Sequence, residues 1–535
     1  MTPLTHADLF ESAEAEVTLT NAFDRPYENA VATARTCYSG TGIIATTQVS
    51  GDTLTDPEKR AAREAQRDRI AESIYQAGHH TTLQHATFQF AIANVSRQLI
   101  WSFLHAHPFY NSEQVSQRYV AVKPGTVAVP RLEGEARAVY LDCVARQTED
   151  YRRLGELLTP HVAERYFGLF PGRRKHEAGR WKGAIQKRAQ EIARYVLPVA
   201  TFAYLYHTVS GVTLLRYHRL AAQYDAPAET RLLVQKMLDE VLRRDPLWAK
   251  VVEPMLALED TPEAQFLAAR AGAARASARF RSEFDEELHG LTSRLVSHKP
   301  ENEALLADAV REVFGLPRDA LSDDAAIRRA LDPSENRLLG EALNLTTVSK
   351  LGRTLCHPSY TFRKKLSHTA DSQDQRHRMV PASRPALPAY LDDQPDYVIP
   401  MLVRDVPEAT AAYDESMART WEAIHRLGAL GVPDEWRAYL LPNAVSIRFT
   451  ESADLQNLHH KMVSRLCYNA QEEIWQASVE EARAIREVNP RIGRYLLPPC
   501  GQRLLAGLTP YCPEGDRYCG VRVWRLDLDA YTRAL

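Results

Sequence analysis

A serine and an arginine two positions apart, Ser116 and Arg118, are the first residues whose types and spacing suit a chemical task. On an extended backbone, side chains two residues apart point to the same side. A hydroxyl donor and a bidentate guanidinium on one side suit a phosphate group. Because such a pair is also common in purely structural roles, it predicts a phosphate site only together with other motifs.

A histidine-rich turn precedes this pair. The segment GHHTTLQH contains His79, His80 and His85 together with Thr81 and Thr82. Either threonine suits the N-cap of a helix, which would leave the histidines half-exposed. A metal site would need further histidine or carboxylate ligands, so we expect the start of a helix here.

Three cysteines near the end of the chain, Cys500, Cys512 and Cys519, lie among glycine and proline turns. Three thiolates on loops suit zinc or an iron–sulfur centre, with Cys467, Cys356 or a histidine as the fourth ligand. The spacing lacks any C-x2-C pair. The alternative is a loop-rich cap with reduced cysteines.

Hydrophobic periodicity indicates the elements that must position these residues. It predicts helices over 57–77, 135–170, 408–431 and 469–487. The segment TFQFAIANV alternates as a strand does. We therefore predict an α+β fold in which helix outweighs strand.

Composition excludes several classes of protein. The 535 residues carry a net charge of −2 and are 45% hydrophobic, as in a globular protein. No apolar run approaches the roughly 18 residues of a membrane span, so we expect no membrane partner. Balanced charge, without a basic run that has aromatics interleaved, argues against nucleic-acid binding. Seven cysteines do not form a disulfide scaffold in a chain of this length, which favours a reduced, cytoplasmic setting.

Two stretches repeat between the halves of the chain. The segments QKRAQEIARYVLPVATFAYLYHTVSG and GVPDEWRAYLLPNAVSIRFTES both have a charged helix end, a Leu-Pro stop and a strand-like run. EQVSQRY is similarly matched by DSQDQRH. The repeat predicts a tandem of two domains, residues 1–260 and 336–535, joined by a helical connector over 261–335.

These segments, taken in order, resemble the flavin-dependent thymidylate synthase family (ThyX). ENAVATARTCYSG resembles its opening helix, GHHTTLQH its Gly-His-x-Ser/Thr-x-x-Glu-His turn, and VSQRYV the end of its signature Arg-His-Arg-x-x-Ser-x-Asn-Glu-x-Ser-x-Arg. EIARYVLP resembles its Glu-x-Ala-Arg-x-x-Leu-Pro step. In the second half, Arg465 followed by Ala470-Gln471-x-Glu473-Ile474 falls at the family's spacing. The resemblance implies two ThyX-like halves, each a twisted sheet packed by long helices.

The chain departs from the family pattern at the signature. His105 and His107 stand where the leading Arg-His-Arg of the first half is expected, and Glu113-Gln114 replaces Asn-Glu. In the second half the equivalent stretch lies close to Arg363-Lys364-Lys365, with Asp374-Gln375-Arg376 in place of Ser-x-Arg. On this alignment neither half keeps the full signature.

The resemblance implies reductive methylation of dUMP, or a related C5 modification. It implies FAD as the cofactor, with NADPH and methylene-tetrahydrofolate as co-substrates. The residues to which it assigns roles are catalytic Ser116, Arg118 and Arg465; substrate-binding Gln114, Ser116, Arg118, Arg194 and Arg465; and cofactor-binding His79, Thr81, His105, His107 and Arg363.

Two alternatives stay open. The halves have complementary motifs, because the first has Ser116, Arg118 and Arg194 and the second has Arg465. Two fused chains would then form a homodimer that acts as a pseudo-tetramer. The other alternative is a flavin-free nucleotide-binding or scaffold protein of the same fold.

Overall fold

The computed structural model describes residues 5–105, 109–176, 178–222, 225–269, 277–391 and 394–535. Helices outweigh strands, and the strands form two four-stranded antiparallel sheets. The predicted mixture of helix and sheet is therefore confirmed. None of the helices in the described part of the chain is long and apolar enough to cross a membrane.

The first half contains the strands of one sheet and long helices around it. Its strands are β1 (Glu16–Ala22), β2 (Thr87–Ser96), β3 (Tyr110–Gln114) and β4 (Phe202–Ser210). Its helices are α1 (His6–Leu9), α2 (Pro26–Thr36), α3 (Thr46–Ser50), α4 (Pro57–Gln76), α5 (Arg97–His105), α6 (Gly134–Leu169), α7 (Pro171–His176), α8 (Ala178–Ala193), α9 (Gly211–Arg219), α10 (Pro227–Arg244) and α11 (Pro262–Ala269).

The second half repeats this arrangement. Its strands are β5 (Ser293–His298), β6 (Ser359–Ser367), β7 (Ala382–Ser383) and β8 (Ser446–Asp454). Its helices are α12 (Ser277–Leu288), α13 (Asn302–Phe314), α14 (Asp323–Leu331), α15 (His368–Asp374), α16 (Met401–Arg404), α17 (Pro407–Ala429), α18 (Asp434–Ala438), α19 (Leu455–Arg465), α20 (Glu472–Val488), α21 (Pro490–Gly493) and α22 (Pro499–Leu505).

The two sheets have the same topology. Their strand orders are β1-β2-β4-β3 and β5-β6-β8-β7, with antiparallel pairing throughout. In β2 the alternation predicted from the sequence is present, because Phe88, Phe90 and Ile92 are buried on one face. The segments predicted as helices over 57–77, 135–170, 408–431 and 469–487 become α4, α6, α17 and α20.

The domain limits at 260 and 336 stay predictions, but the connector between them is not wholly helical. β5 lies within it and pairs antiparallel with β6 of the second sheet. The run Ser-Arg-Leu-Val-Ser-His carries the β-branched Val296 beside Leu295, which favours a strand over a helix.

The halves meet along the two Leu-Pro steps. The backbone N–H of Val199 donates to the carbonyl of Leu441 at 2.8 Å, and that of Asn443 donates to Leu197 at 2.8 Å. One hydrophobic cluster spans both halves and includes residues of α6, α8 and α17. The two halves therefore share a core and pack as one body around this contact.

Candidate functional site

A buried glutamate at the start of α10 joins the first sheet to the second half. Glu229 accepts hydrogen bonds from the backbone N–H of Ser96 at 2.7 Å and from its hydroxyl at 2.6 Å. Tyr439, from the other half, donates to the same carboxylate at 2.6 Å. Burial raises the pKa of Glu229.

The second half has a matching tyrosine–glutamate joint, in which the glutamate comes from the second half and the tyrosine from the first. Glu473, at the start of α20, accepts from the backbone N–H of Ser367 at 2.7 Å and from its hydroxyl at 2.6 Å. Tyr195 of the first half donates to Glu473. Each half therefore holds the other through one tyrosine, and the pair of joints fixes the segments that carry the site.

Ser116 and Arg118 lie directly at this boundary, in the segment after β3. Arg118 pairs with Glu191 of α8 (Nε to Oε1, 2.8 Å) and donates to the carbonyl of Asn469 in the second half at 2.8 Å. The Ser116 hydroxyl accepts from the Arg118 backbone N–H at 3.3 Å. The predicted pair is thus half-buried at the contact between the halves.

Arg194 lies against the same glutamate. It is 5% exposed, and its Nε donates to the carbonyl of Glu191 at 3.1 Å. Its Nη2 is buried and has no hydrogen-bond partner in the part of the chain that the structure describes. A buried guanidinium nitrogen without a partner is costly, so this atom is ready to receive an anionic group.

One carboxylate faces several guanidinium groups here. Burial would raise the pKa of Glu191, but Arg188, Arg118, Arg194 and Arg533 lower it to about 2. Arg188 donates to Glu191 at 2.8 Å. The cluster therefore has an excess of positive charge, and a bound anion would balance it.

Arg465 enters the cluster from the last turn of α19. Its Nε donates to Nε2 of His377 at 2.8 Å, and its Nη2 donates to the carbonyl of Gln373 at 3.0 Å. Burial lowers the pKa of Arg465 to about 10, and the charges of Arg118 and Arg376 add to this effect. Burial and the nearby Arg465 charge lower the pKa of His377, so this imidazole is neutral and accepts the bond.

A chain of side chains links Arg465 to the first half. The Gln373 amide donates to Gln471 at 2.5 Å, and Gln471 donates to the Tyr195 hydroxyl at 2.6 Å. The same hydroxyl binds Glu473 in the joint described above. The position of Arg465 is therefore coupled to the contact between the halves.

Gln114 is held by an arginine that sequence reasoning missed. Arg97, the first residue of α5, donates to the Gln114 side chain at 3.0 Å and to the carbonyl of Val115 at 2.7 Å. Burial lowers the pKa of Arg97 to about 9, and Arg194 contributes. Arg97 thus orients the segment that leads into Ser116.

The intact tripeptide Arg-His-Arg stands at 376–378, and sequence reasoning missed it. Arg376 donates to Glu113 at 2.9 Å and Arg378 to Asn111 at 3.3 Å, both on β3 of the first half. The two arginines line a cavity of about 310 Å³ together with Gln114 and neighbouring residues of β2, β3 and β4. A search of the second half for the literal tripeptide would have found it.

The placement of the second-half signature near 363–365 stays a prediction, and the structure sets these residues apart from the tripeptide at 376–378. Arg363 lies on β6 and pairs with Glu287 of α12, not with a residue of the arginine cluster. Lys364 is 1% exposed and belongs to a buried ion network with Asp374, Glu451 and Glu481. On the strand, Arg363 and Lys365 lie on one side and Lys364 on the other, where it is already held by these carboxylates.

The other residues predicted for a cofactor are not brought to the cluster. His79 and Thr81 are exposed at the end of α4, and among the described residues neither contacts Arg118 or Arg465. His105 packs edge-on against Trp101, and burial lowers its pKa to about 3. His107 lies outside the described residues.

The metal site predicted at Cys500, Cys512 and Cys519 is not found. Across the described ranges, no group of three or more His, Cys, Asp or Glu side chains is arranged to hold a metal ion. All three cysteines are half-buried and have free thiols. Burial raises the pKa of Cys500 to about 12, and the neighbouring Cys467, Cys512 and Cys519 add to this effect; burial raises the pKa of Cys519 as well.

The position related to this cluster by the duplication has lost its arginines. Tyr195 and Tyr439 correspond, since each reaches the glutamate of the other half, and the residue before Tyr439 is Ala438 where Arg194 precedes Tyr195. Arg465 lies eight residues before Glu473, and eight residues before Glu229 stands the buried Ala221.

Leu387 is buried beside this related position. Leu387 is 1% exposed, and its backbone N–H donates to Asp225 at 2.8 Å. Ser102 donates to the other Asp225 oxygen at 3.2 Å, and burial raises the pKa of this carboxyl to about 6. The duplication has therefore left one arginine cluster and one closed joint.

Comparison with known proteins places the chain beside a single family. The family described as thymidylate synthase complementing protein matches residues 18–247 and 294–491. These are two separate regions, one in each half, and together they cover most of the chain. Residues after 491 lie beyond the match.

Similar proteins cover less than half of this chain but most of their own length. A flavin-dependent thymidylate synthase of Geobacter sulfurreducens is 29% identical over 42% of this chain and 92% of its own length. One from Clostridium tetani is 24% identical over 44% of this chain and 86% of its own length. A solved UMP/dUMP methylase PolB from Streptomyces cacaoi, bound with 5-Br dUMP, is 15% identical over 45% of this chain and 94% of its own, with a TM-score of 0.31.

Proposed function

This chain belongs to the thymidylate synthase complementing protein family, and on that premise we propose that it methylates dUMP reductively with FAD, NADPH and methylene-tetrahydrofolate. The observation that carries the proposal is the composite cluster at the boundary of the halves, where Arg118, beside Ser116 and Arg194, bonds to Asn469 of the second half and its charge acts on Arg465. Matched relatives that are named flavin-dependent thymidylate synthases support the same reaction class.

The nucleotide phosphate would bind where positive charge is in excess. Arg118 offers a half-buried guanidinium, and Ser116 adds a hydroxyl donor. Arg194 offers the buried Nη2 that has no partner among the described residues. Charge-assisted hydrogen bonds to a phosphate are stronger than those between neutral groups, so each of these donors favours the anionic ligand.

Arg465 would stabilise negative charge that develops on the pyrimidine ring. Two hydrogen bonds, to His377 and to the Gln373 carbonyl, hold its guanidinium before any ligand binds. A preorganised donor in a water-poor site stabilises developing charge more than a solvated one. This role needs no nucleophilic cysteine.

The residues at 376–378 fit the pyrophosphate of a flavin dinucleotide. Arg376 and Arg378 both reach the cavity of about 310 Å³, whose remaining walls include amide and hydroxyl groups. Glu113, which pairs with Arg376, is the one acidic group of this lining, so the two guanidinium groups leave an excess of positive charge that suits a pyrophosphate. Bound FAD would supply hydride, while the chain's own residues bind and orient the nucleotide.

The proposal gives one site to each chain. Ala221, Leu387 and Ala438 occupy the related position and offer no side-chain donor to a phosphate. The exposed turn at His79 and Thr81 does not contact the cluster of its own chain, so a flavin contact from it would come from a second chain. We therefore retain the proposal of a homodimer with pseudo-tetrameric symmetry.

A direct test is an assay of the full chain with dUMP, FAD, NADPH and methylene-tetrahydrofolate. We expect dTMP to form and the purified protein to show the two absorption bands of oxidised flavin. The variant Arg376→Ala/Arg378→Ala should lose flavin. The control Arg363→Ala removes an arginine of β6 that pairs with Glu287 of α12, and it should keep flavin.

The second candidate is a flavin-free nucleotide-binding protein of the same fold. It is favoured by the loss of the arginines from one of the two related positions. A colourless protein that binds dUMP but takes up no added FAD would support this candidate and contradict the enzyme.

A further inference from the structure

The segment after the family match runs from the second half of the chain back to the first. Residues 492–535 lie beyond the matched regions, and we call them the C-terminal segment. Arg486 of α20 pairs with Asp527 of this segment (Nη1 to Oδ1, 2.9 Å). The rings of Tyr531 and Tyr468 pack with their centres 6.0 Å apart. The second half therefore holds the C-terminal segment in a defined position.

The end of the C-terminal segment reaches the first half beside the arginine cluster. Arg165 of α6 donates to the carbonyl of Ala534 at 3.0 Å. Ala534 and Leu535 line one cavity together with Arg118 and Glu191. Because Arg118 and Glu191 belong to the arginine cluster, the end of the segment lies at its edge.

Arg533 of this stretch has a guanidinium that is only partly satisfied. Its Nε donates to the backbone oxygen of Leu535 at 2.8 Å, and its Cζ lies 5.9 Å from the centre of the Trp475 ring of α20. Its Nη1 is buried and has no hydrogen-bond partner among the residues that the structure describes. A buried donor that stays unpaired is costly, so this nitrogen can take an acceptor from a ligand.

The charge of Arg533 acts on the same groups as the other charges of the cluster. Burial would raise the pKa of Glu191, but Arg533 and the three other arginines around it lower this pKa to about 2. Burial, followed by the charges of Arg188 and Arg118, lowers the pKa of Arg533 to about 10. Arg533 therefore stays protonated at neutral pH and adds a positive charge to the cluster.

Positive charge around Glu191 remains in excess after its partners are counted. Four arginines act on this carboxylate, and the other acidic groups beside Arg533 are Glu472 and the terminal carboxylate of Leu535. A phosphate monoester carries about two negative charges at neutral pH, which suits this excess. It can also accept hydrogen bonds from two nitrogens that are buried without a partner among the described residues, Arg194 Nη2 and Arg533 Nη1.

We propose that Arg533 is a further anion-binding residue of the nucleotide site and that it contacts the phosphate rather than the base. It shares Glu191 with Arg118 and Arg194, the arginines proposed above for the phosphate, whereas Arg465 is held by other partners. This inference rests on the proposed function, because it takes the nucleotide phosphate as the anion. Its distinctive claim is that a segment beyond the family match supplies part of the phosphate site.

The test compares dUMP with deoxyuridine, which lacks the phosphate, on the full chain. Isothermal titration measures dUMP, and ligand-observed NMR measures the weaker deoxyuridine. We expect Arg533→Met to raise the Kd of dUMP about tenfold or more and to leave that of deoxyuridine unchanged. Arg533→Lys, which keeps the charge, should recover part of the affinity for dUMP. The control Arg525→Met, at an exposed position of the same segment, should bind dUMP as the wild type does.

An unchanged Kd of dUMP in Arg533→Met would overturn the proposal. Equal weakening of dUMP and deoxyuridine would overturn it too, because Arg533 would then act only through the packing of the C-terminal segment. The dTMP assay separates this inference from the proposed function. A wild type that binds dUMP but forms no dTMP would refute the reaction and leave the comparison of the two ligands valid, whereas dTMP formation with unchanged affinity in Arg533→Met would refute the role of Arg533 alone.

Discussion

At the scale of single residues, Arg465 and Arg219 form a matched pair for testing the site. They end the corresponding helices α19 and α9, but only Arg465 reaches the cluster. Arg219 pairs with Glu253 at 3.1 Å on the surface. We expect Arg465→Ala to weaken dUMP binding by about tenfold or more, the value of one charge-assisted hydrogen bond of about 1.5–3 kcal/mol. Calorimetric titration measures this, and Arg219→Ala is the control. Equal losses in the two variants would refute the assigned role of Arg465.

Glu435 makes the free energy of unfolding depend on pH. Its carboxylate accepts from the backbone N–H of Ala228 at 2.8 Å, and burial raises its pKa from 4.5 to about 7. The folded state therefore binds more protons than the unfolded state between these values, and stability falls as pH rises from about 4.5 to 7.

The variant Glu435→Gln removes this titration. Urea unfolding at pH 5, 6 and 7 should show the wild type losing about 2 kcal/mol relative to the variant across this range. Buried histidines such as His207, whose pKa burial lowers to about 3, titrate with the opposite sign, but they cancel in this difference. A difference that stays constant with pH would contradict the buried state of Glu435.

Residue types were predictable where a motif stands whole and spacing is fixed. Gln114, Ser116, Arg118, Arg194 and Arg465 were all found from sequence and lie around one boundary. Arg97 was missed because its role depends on the turn of α5, which no local pattern reveals. The tripeptide at 376 was missed because Arg376 was matched to the arginine of Ser-x-Arg, which put the expected Arg-His-Arg about a dozen residues earlier, near Arg363.

At the scale of elements, the two tyrosine–glutamate joints form a matched pair. Tyr439→Phe and Tyr195→Phe each remove one hydrogen bond from a buried carboxylate, which we expect to cost about 1–3 kcal/mol of unfolding free energy. Only Tyr195 also binds Gln471, the link toward Arg465.

Thermal or urea unfolding should therefore show a loss of stability for both variants, and the larger loss for Tyr195→Phe, which also leaves the Gln471 amide without its acceptor. Titration with dUMP should show weaker binding for Tyr195→Phe alone, with Tyr439→Phe serving as the control. Weakening of equal size in both would mean that the joints act only on stability and that the link through Gln471 has no role in the site.

The elements themselves were largely predictable, since long amphipathic helices and alternating strands carry strong periodic signals. α4, α6, α17 and α20 match the expected ranges within a few residues. β5 was missed because it is a short edge strand of six residues inside a charged, helix-rich stretch. Its pairing with β6 is a long-range contact, which sequence periodicity does not encode.

At the scale of the whole molecule, duplication has separated two once-equivalent positions. The arginine cluster combines the first half's Arg118 with the second half's Arg465. At the related position, the buried Ala221 and Ala438 stand where the cluster has Arg465 and Arg194, and Leu387 is buried beside them. Drift of this kind preserves the packing of the halves but removes the arginine charges from one of the two positions. The fold therefore remains symmetric, whereas only one position keeps the arginines.

The stoichiometry of dUMP binding tests this account most directly. Isothermal titration of the full chain, with the protein concentration fixed by amino-acid analysis, should give one dUMP per chain, and Arg118→Met/Arg465→Met should abolish it. Two molecules per chain would contradict the closed joint at Leu387, and no binding to the intact protein would contradict the composite site itself.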